Sequence, residues 1–87
     1  MREGDVDVGS GVRIHYVDGG DRQAKTTLLF IPGWSMSTAV WRDQMNFFAD
    51  SARVVSIDPR SQGQSTVTVQ SNTPEQRAQD LHEVIKS

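Results

Sequence analysis

Thr27-Leu28-Leu29-Phe30-Ile31-Pro32-Gly33-Trp34-Ser35 is the stretch on which the fold turns. Its apolar run, Leu28 to Ile31, stops at Pro32-Gly33 and gives way to small polar residues and then a helical pattern. Consecutive apolar residues bounded by a turn signal read as a strand buried on both faces. Strands of that kind belong to parallel sheets with helices above and below. In open α/β sheets the chemistry lies just beyond the carboxyl ends of the strands. Ile31-Pro32-Gly33-Trp34 occupies such an end, so a site is expected there.

Downstream, Ser37 or Thr38 can cap a helix that runs to about Asp50. Trp41, Met45 and Phe48 fall at i, i+4 and i+7, with Val40 and Phe47 beside them, giving one apolar face. Packing against a sheet is the simplest use of these aromatics. Arg53-Val54-Val55-Ser56-Ile57-Asp58-Pro59 is a second β-branched strand, closed by proline. A helix between two such strands makes a βαβ unit, hence parallel pairing. Upstream, Asp5–Val8 and Val12–Val17 alternate with period two on either side of Gly9-Ser10-Gly11, which predicts an antiparallel hairpin. Val12, Ile14 and Tyr16 share one face of it, and Arg13, His15 and Val17 the other. After a polar loop from Arg60 to Asn72, Thr73 as N-cap, Pro74 at the first helical position and Gln76 two residues on open a last helix. Ala78, Leu81, Val84 and Ile85 form its expected apolar face.

The predicted order is ββ-βαβα, an α/β fold in which an antiparallel hairpin precedes two parallel strands and two helices. No repeat or linker divides residues 1–87, so a single unit with no internal boundary is expected. Two helices cover four strands poorly, and the sheet reads as unfinished.

Eighty-seven residues make one small domain or a piece of a larger one. A net charge of −2 gives no electrostatic reason to expect nucleic acid or an anionic membrane as partner. Without cysteine there are no disulfides and no cysteine-ligated metal. No residues show metal-ligand or cofactor-binding spacing, so neither a metal nor a cofactor is expected. No apolar run approaches a membrane span. Met1-Arg2-Glu3-Gly4-Asp5 is unlike a secretory signal, and a cytoplasmic location is the expectation.

Phe30-Ile31-Pro32-Gly33-Trp34, the helix with Trp41, and Val54-Val55-Ser56-Ile57-Asp58-Pro59-Arg60-Ser61-Gln62-Gly63-Gln64-Ser65 together resemble the amino-terminal part of an α/β-hydrolase. In that family a His-Gly or Pro-Gly pair follows the third strand and Asp-x-Arg-Gly-x-Gly-x-Ser the fourth. The resemblance runs from about Val12 to Lys86. Trp34 directly after Gly33 is similar to the His-Gly-Trp form of bacterial arylesterases and cofactor-free perhydrolases, and unlike the halide-binding Asn of haloalkane dehalogenases. Two positions depart from the pattern: Pro32 replaces the commoner His, and Ser61 stands where Gly is usual. Losing a residue free to adopt positive φ predicts a differently shaped loop after Asp58.

The resemblance implies a serine ester hydrolase in which the backbone N–H of Trp34 donates to the developing oxyanion. The family's nucleophile sits in a G-x-S-x-G elbow after the fifth strand, with the acid and the histidine later still. The nearest spelling here is Gly33-Trp34-Ser35-Met36-Ser37, whose last position is Ser and which follows the wrong strand. The triad is therefore not identifiable in this chain, which reads as an amino-terminal fragment, inactive or weakly active alone. The alternative is a miniature esterase using Ser35 or Ser37 as nucleophile, His15 or His82 as base and Asp58 or Asp80 to orient it. It requires a serine within about 2.6–3.2 Å of a histidine. The simpler roles are structural: Asp58 and Ser65 shape their loop through backbone hydrogen bonds, His82 is half-exposed, and Asp80 and Glu83 belong to a solvated helix face. A third possibility is a non-catalytic association module. The family's fifth strand would pair beside Leu28–Ile31. Without it that edge invites self-association or pairing with a complementary chain. The partner of a complete enzyme would be a small-molecule ester.

Overall fold

The computed structural model describes residues 1–34, 36–68 and 72–86. Strands β1 (Arg2–Gly9), β2 (Val12–Gly19), β3 (Thr27–Phe30) and β4 (Arg53–Ile57) form one mixed sheet in the order β1-β2-β4-β3. Helices α1 (Arg42–Phe48) and α2 (Pro74–Lys86) complete the expected ββ-βαβα order. β1 and β2 pair antiparallel, as do β2 and β4, while β3 and β4 run parallel.

The hairpin turns at Ser10-Gly11, whose φ angles of 55° and 77° are both positive, as a type I′ turn requires. The first strand is longer than its alternating pattern: Arg2 lies opposite Asp18, and the opposite charges extend the ladder to the chain's start. β2 is the sheet's most buried strand. Its second half pairs with β4, and its first half pairs with the chain returning after β4. Asp58 N–H donates to His15 O at 2.8 Å, and Thr66 N–H to Arg13 O at 3.0 Å.

Val12 and Ile14 of β2, Ile57 of β4 and Val84 of α2 form the core, with Val6, Val8, Tyr16 and Leu81 packed against them. Val17, of opposite parity on β2, lines a cleft with Met45 of α1, so the two helices lie on opposite faces. Ser37 caps the first helical segment, its hydroxyl accepting the Ala39 N–H at 3.3 Å. That segment is a tight 3₁₀ turn over Thr38–Trp41, and the α-helix proper ends at Phe48, before Asp50. Thr73 caps α2 as its sequence predicts, accepting the Gln76 N–H at 3.1 Å.

Three expectations about burial fail. β3 is not buried on both faces: Leu29 and Ile31 are exposed because β3 is an edge strand, and α2, which covers Val12, Ile14 and Ile57, packs toward the hairpin flank of the sheet. Of the apolar face on the first helix only Met45 is buried, and Val40, Phe47 and Phe48 are exposed. On α2 the inward stripe is Asp80, Leu81 and Val84, whereas Ala78 and Ile85 face solvent. No helix among the described residues is long and apolar enough to cross a membrane.

Candidate functional site

The Pro32–Trp34 turn lies beyond the carboxyl end of β3, and the Asp58–Ser65 loop follows the neighbouring β4. Met36 N–H closes the turn on Gly33 O at 3.0 Å. Pro32 is buried, while Trp34 is 67% exposed.

Three buried polar side chains of the second loop organise this end of the sheet. Asp58 ties the loop to the first helical segment: its carboxylate accepts the Thr38 N–H at 2.7 Å and the Gln64 N–H at 2.9 Å. Gly63 is obligatory beside it, because a Cβ there would stand 2.3 Å from Asp58 Oδ2, at a φ of +51°. Ser65 closes the loop: its hydroxyl donates to Asp58 O and accepts the His15 N–H at 2.9 Å. Gln62, 4% exposed, crosses to the turn and donates to Gly33 O at 2.9 Å and to Met36 O at 2.7 Å. Its Oε1 accepts from Arg77 of α2, whose guanidinium carbon lies 4.4 Å from the centre of the Trp34 ring.

The loop keeps the backbone that its missing glycine would favour. Ser61 adopts φ of 68°, a left-handed conformation uncommon outside glycine. Its hydroxyl donates to Asn72 Oδ1 at 2.9 Å and accepts the Thr68 N–H at 3.0 Å, and these bonds offset the strain. The expectation of a reshaped loop is thereby corrected.

The residues considered for a self-contained triad lie in different surroundings. Ser35 lies outside the described residues. Ser37 caps the helical segment and, with Asp58, Glu3, Arg42 and Met45, lines a cleft of about 370 Å³. His15 is buried, with Nδ1 3.3 Å from Asp5 and Nε2 3.0 Å from Glu3. His82 is exposed on α2, not half-exposed. Among the described residues neither histidine is hydrogen-bonded to Ser37 or lines that cleft. Asp80 is not on a solvated face: it is 1% exposed and takes both arms of the Arg60 guanidinium, at 2.8 and 2.9 Å. Gln76 adds a third hydrogen bond to it at 2.9 Å. Arg60 and Gln62 entered the sequence reading only as letters of the loop motif, without these roles, and Arg77 not at all. Arg77 could have been found, since it falls on the helical stripe of Asp80 and Val84, whereas nothing local marks Gln62. Among the described residues no cluster of His, Asp or Glu could hold a metal ion.

A βαβ unit with a preceding hairpin, a Pro-Gly-Trp turn after one parallel strand and an Asp-x-Arg-x-x-Gly-x-Ser loop after the next define a partial α/β-hydrolase fold. The chain is a member of the α/β-hydrolase superfamily. It is 36% identical over 84 residues to a bifunctional esterase/perhydrolase of Acinetobacter calcoaceticus, covering 95% of this chain and 30% of the relative. It is 39% identical over 56 residues to epoxide hydrolase 4 of Mus musculus, covering 64% of this chain and 15% of that protein. The crystal structure of a haloalkane dehalogenase loop variant from Bradyrhizobium elkanii superposes with a TM-score of 0.87 at 25% identity, over 98% of this chain and 27% of that one. No family model matches the chain. The chain thus spans less than a third of the length of each of these proteins, and it is part of a hydrolase fold.

Proposed function

We propose that this segment supplies the oxyanion side of a serine ester hydrolase, with the nucleophile elbow, acid and catalytic histidine contributed by further polypeptide. The observation that carries this reading is the Gly33-Trp34 turn, held beyond the carboxyl end of β3 by a buried glutamine. The esterase/perhydrolase relative, 36% identical across nearly the whole chain, supports it. In the complete enzyme serine attacks the ester carbonyl and a tetrahedral intermediate forms. The Trp34 N–H and the N–H after the nucleophile hold its oxyanion as it collapses, expelling the alcohol and leaving an acyl-enzyme. Water then attacks that acyl group through a second tetrahedral intermediate held in the same way, which releases the acid and frees the serine. Losing one donor of this kind costs roughly 2.7–4 kcal/mol of transition-state stabilisation in acyl-transfer enzymes. The outer edge of β3, with Leu29 and Ile31 exposed, is the proposed joining surface for that further polypeptide or for a second copy of this chain.

The test is hydrolysis of a p-nitrophenyl ester and covalent labelling by a serine-reactive phosphonate. The isolated chain is expected to take no label. A polypeptide that continues through the remaining strands is expected to turn over the ester and to be labelled on one serine outside residues 1–87. Labelling of Ser35 or Ser37 in the isolated chain would establish the miniature esterase instead.

A further inference from the structure

Resting on the oxyanion-side reading above, we propose that Gln62 is a positioning residue that fixes the direction of the Trp34 N–H, and that Arg77 acts through it. The carbonyl of Gly33 and the N–H of Trp34 belong to one planar peptide unit, trans like the others among the described residues, so they point in opposite directions. Whatever holds Gly33 O therefore aims the Trp34 N–H. Within the turn Gly33 O accepts the Met36 N–H at 3.0 Å. Gln62 Nε2 adds a second hydrogen bond to it at 2.9 Å and, with its other proton, holds Met36 O at 2.7 Å, so the glutamine ties the whole turn to the loop after β4. Both protons of one buried amide are spent on the two carbonyls that bracket the turn.

The need for such a clamp follows from the turn's own residues. Gly33 has open space where a Cβ would be, with only the Met36 sulfur at 3.9 Å, so nothing in its side-chain position resists rotation of the peptide. Without Gln62 the Gly33–Trp34 peptide is held only by the Met36 N–H inside the same turn, and that turn can swing as a unit and carry the Trp34 N–H away from the oxyanion. Arg77 completes the device. It donates to Gln62 Oε1 and, at 3.4 Å, to Arg60 O, while its guanidinium covers the Trp34 ring. Donation to Oε1 fixes which end of the amide faces the turn, and a positive donor on that oxygen polarises the opposite N–H groups toward Gly33 and Met36. Gln62 is itself kept in place by burial, in a loop anchored by the Asp58 carboxylate and the Arg60–Asp80 pair.

Gln62→Met, Arg77→Met and the double variant would be made in the full-length hydrolase that contains residues 1–87. The measurements are kcat and KM on a p-nitrophenyl ester, and the concentration of reactive sites by phosphonate titration. Gln62→Met keeps side-chain length and loses both donors. It is expected to lower kcat per titrated site about 10- to 100-fold, the scale of a misaimed oxyanion donor, with KM changed by less than about twofold. Arg77→Met is expected to lower kcat about three- to tenfold, and the double variant to match Gln62→Met alone, because Arg77 works through the glutamine. A structural role only would reduce the number of titrated sites and leave kcat per site intact, and that result overturns the inference. If Gln62→Met fails to fold, the kcat of Arg77→Met per titrated site decides in the same way. If the unmodified enzyme carries no phosphonate-reactive serine, the ester-hydrolase reading itself fails and takes this one with it. An active, titratable enzyme that is indifferent to both substitutions rejects the clamp alone.

Discussion

On the hairpin side of the sheet Val84 of α2 closes over Val12, Ile14 and Ile57, whereas on the β3 side Leu29, Ile31 and Phe47 stand open to solvent. Ile14 is 0% exposed and Phe47 75%, although both sit in runs whose patterns mark them for burial. The polar groups follow the same division. Asp80, deep on the α2 side, has three hydrogen bonds, while the indole N–H of Trp41, buried on the β3 side, has no partner among the described residues. A single exposed leucine needs no explanation, but a run of exposed apolar side chains on one edge strand and the helix that follows it does. The pattern matches a chain spanning 30% of the length of its esterase/perhydrolase relative. One flank finds its cover among the described residues, and the other does not.

The largest test of this contrast is at the Arg60–Asp80 pair, which joins the loop after β4 to α2. Asp80→Ala strands a buried guanidinium and is expected to cost about 3–5 kcal/mol. Small domains hold only about 5–15 kcal/mol in total, so the variant should lose about a third or more of its stability, read as a lowered urea midpoint by circular dichroism. A loss under about 1 kcal/mol would show that the pair is solvated and that the finished flank is not finished.

The two flanks differ next in their response to truncation of apolar side chains. Ile14→Ala is expected to cost about 2–5 kcal/mol, because the cavity it leaves is enclosed on every side. Phe47→Ala removes a larger side chain that touches mostly water, and should change stability by less than about 0.5 kcal/mol. Equal losses at the two sites, measured by urea midpoints, would erase the contrast. A large effect at Phe47 that appears only at high protein concentration would locate self-association on that side.

Elements were legible in the sequence where their causes are local, and burial was not where its causes are distant. Period-two alternation around Ser10-Gly11, the strand–helix–strand spacing and the Thr73 cap act within a few residues, and each appears as read. β3 carries the right residues for a doubly covered strand, but cover depends on neighbours. The described residues provide one strand beside it, and α2 packs over the hairpin flank instead. Asp80 reads as a surface charge beside Glu83, and only Arg60, twenty residues upstream in an irregular loop, makes it a buried anion. Ser61 fails the expectation built on its missing glycine for the same reason, since Thr68 and Asn72 hold it in the left-handed region. At the candidate site the Gly33-Trp34 turn was legible from its motif. Gln62 was not, because its partners come from the β3 turn and from α2.

A contrast smaller than that between Ile14 and Phe47 lies at the far end of the sheet and tests whether the finished flank is also held by charge. Asp18, at the end of β2, is buried, and burial by itself would raise its pKa. The Arg53 hydrogen bonds at 3.1 and 2.9 Å and the Arg53 charge, then Arg2, outweigh that and hold the carboxyl below its ordinary 3.8. The same contact, with the Asp18 hydrogen bond as the leading cause, raises the pKa of Arg53. A carboxyl with a depressed folded-state pKa binds fewer protons folded than unfolded. Its contribution is therefore complete above the ordinary carboxylate value and is lost as the pH falls through the lower, folded one. Urea midpoints should fall on acidification below roughly pH 4, and more steeply than in Asp18→Asn, which has no proton to gain there. The difference should be no more than about 1 kcal/mol, because Arg2 and Arg53 are partly open to solvent and water screens the pairs. Parallel acid profiles for the two proteins would mean that Asp18 titrates alike folded and unfolded, leaving apolar packing and the Arg60–Asp80 pair to hold this flank.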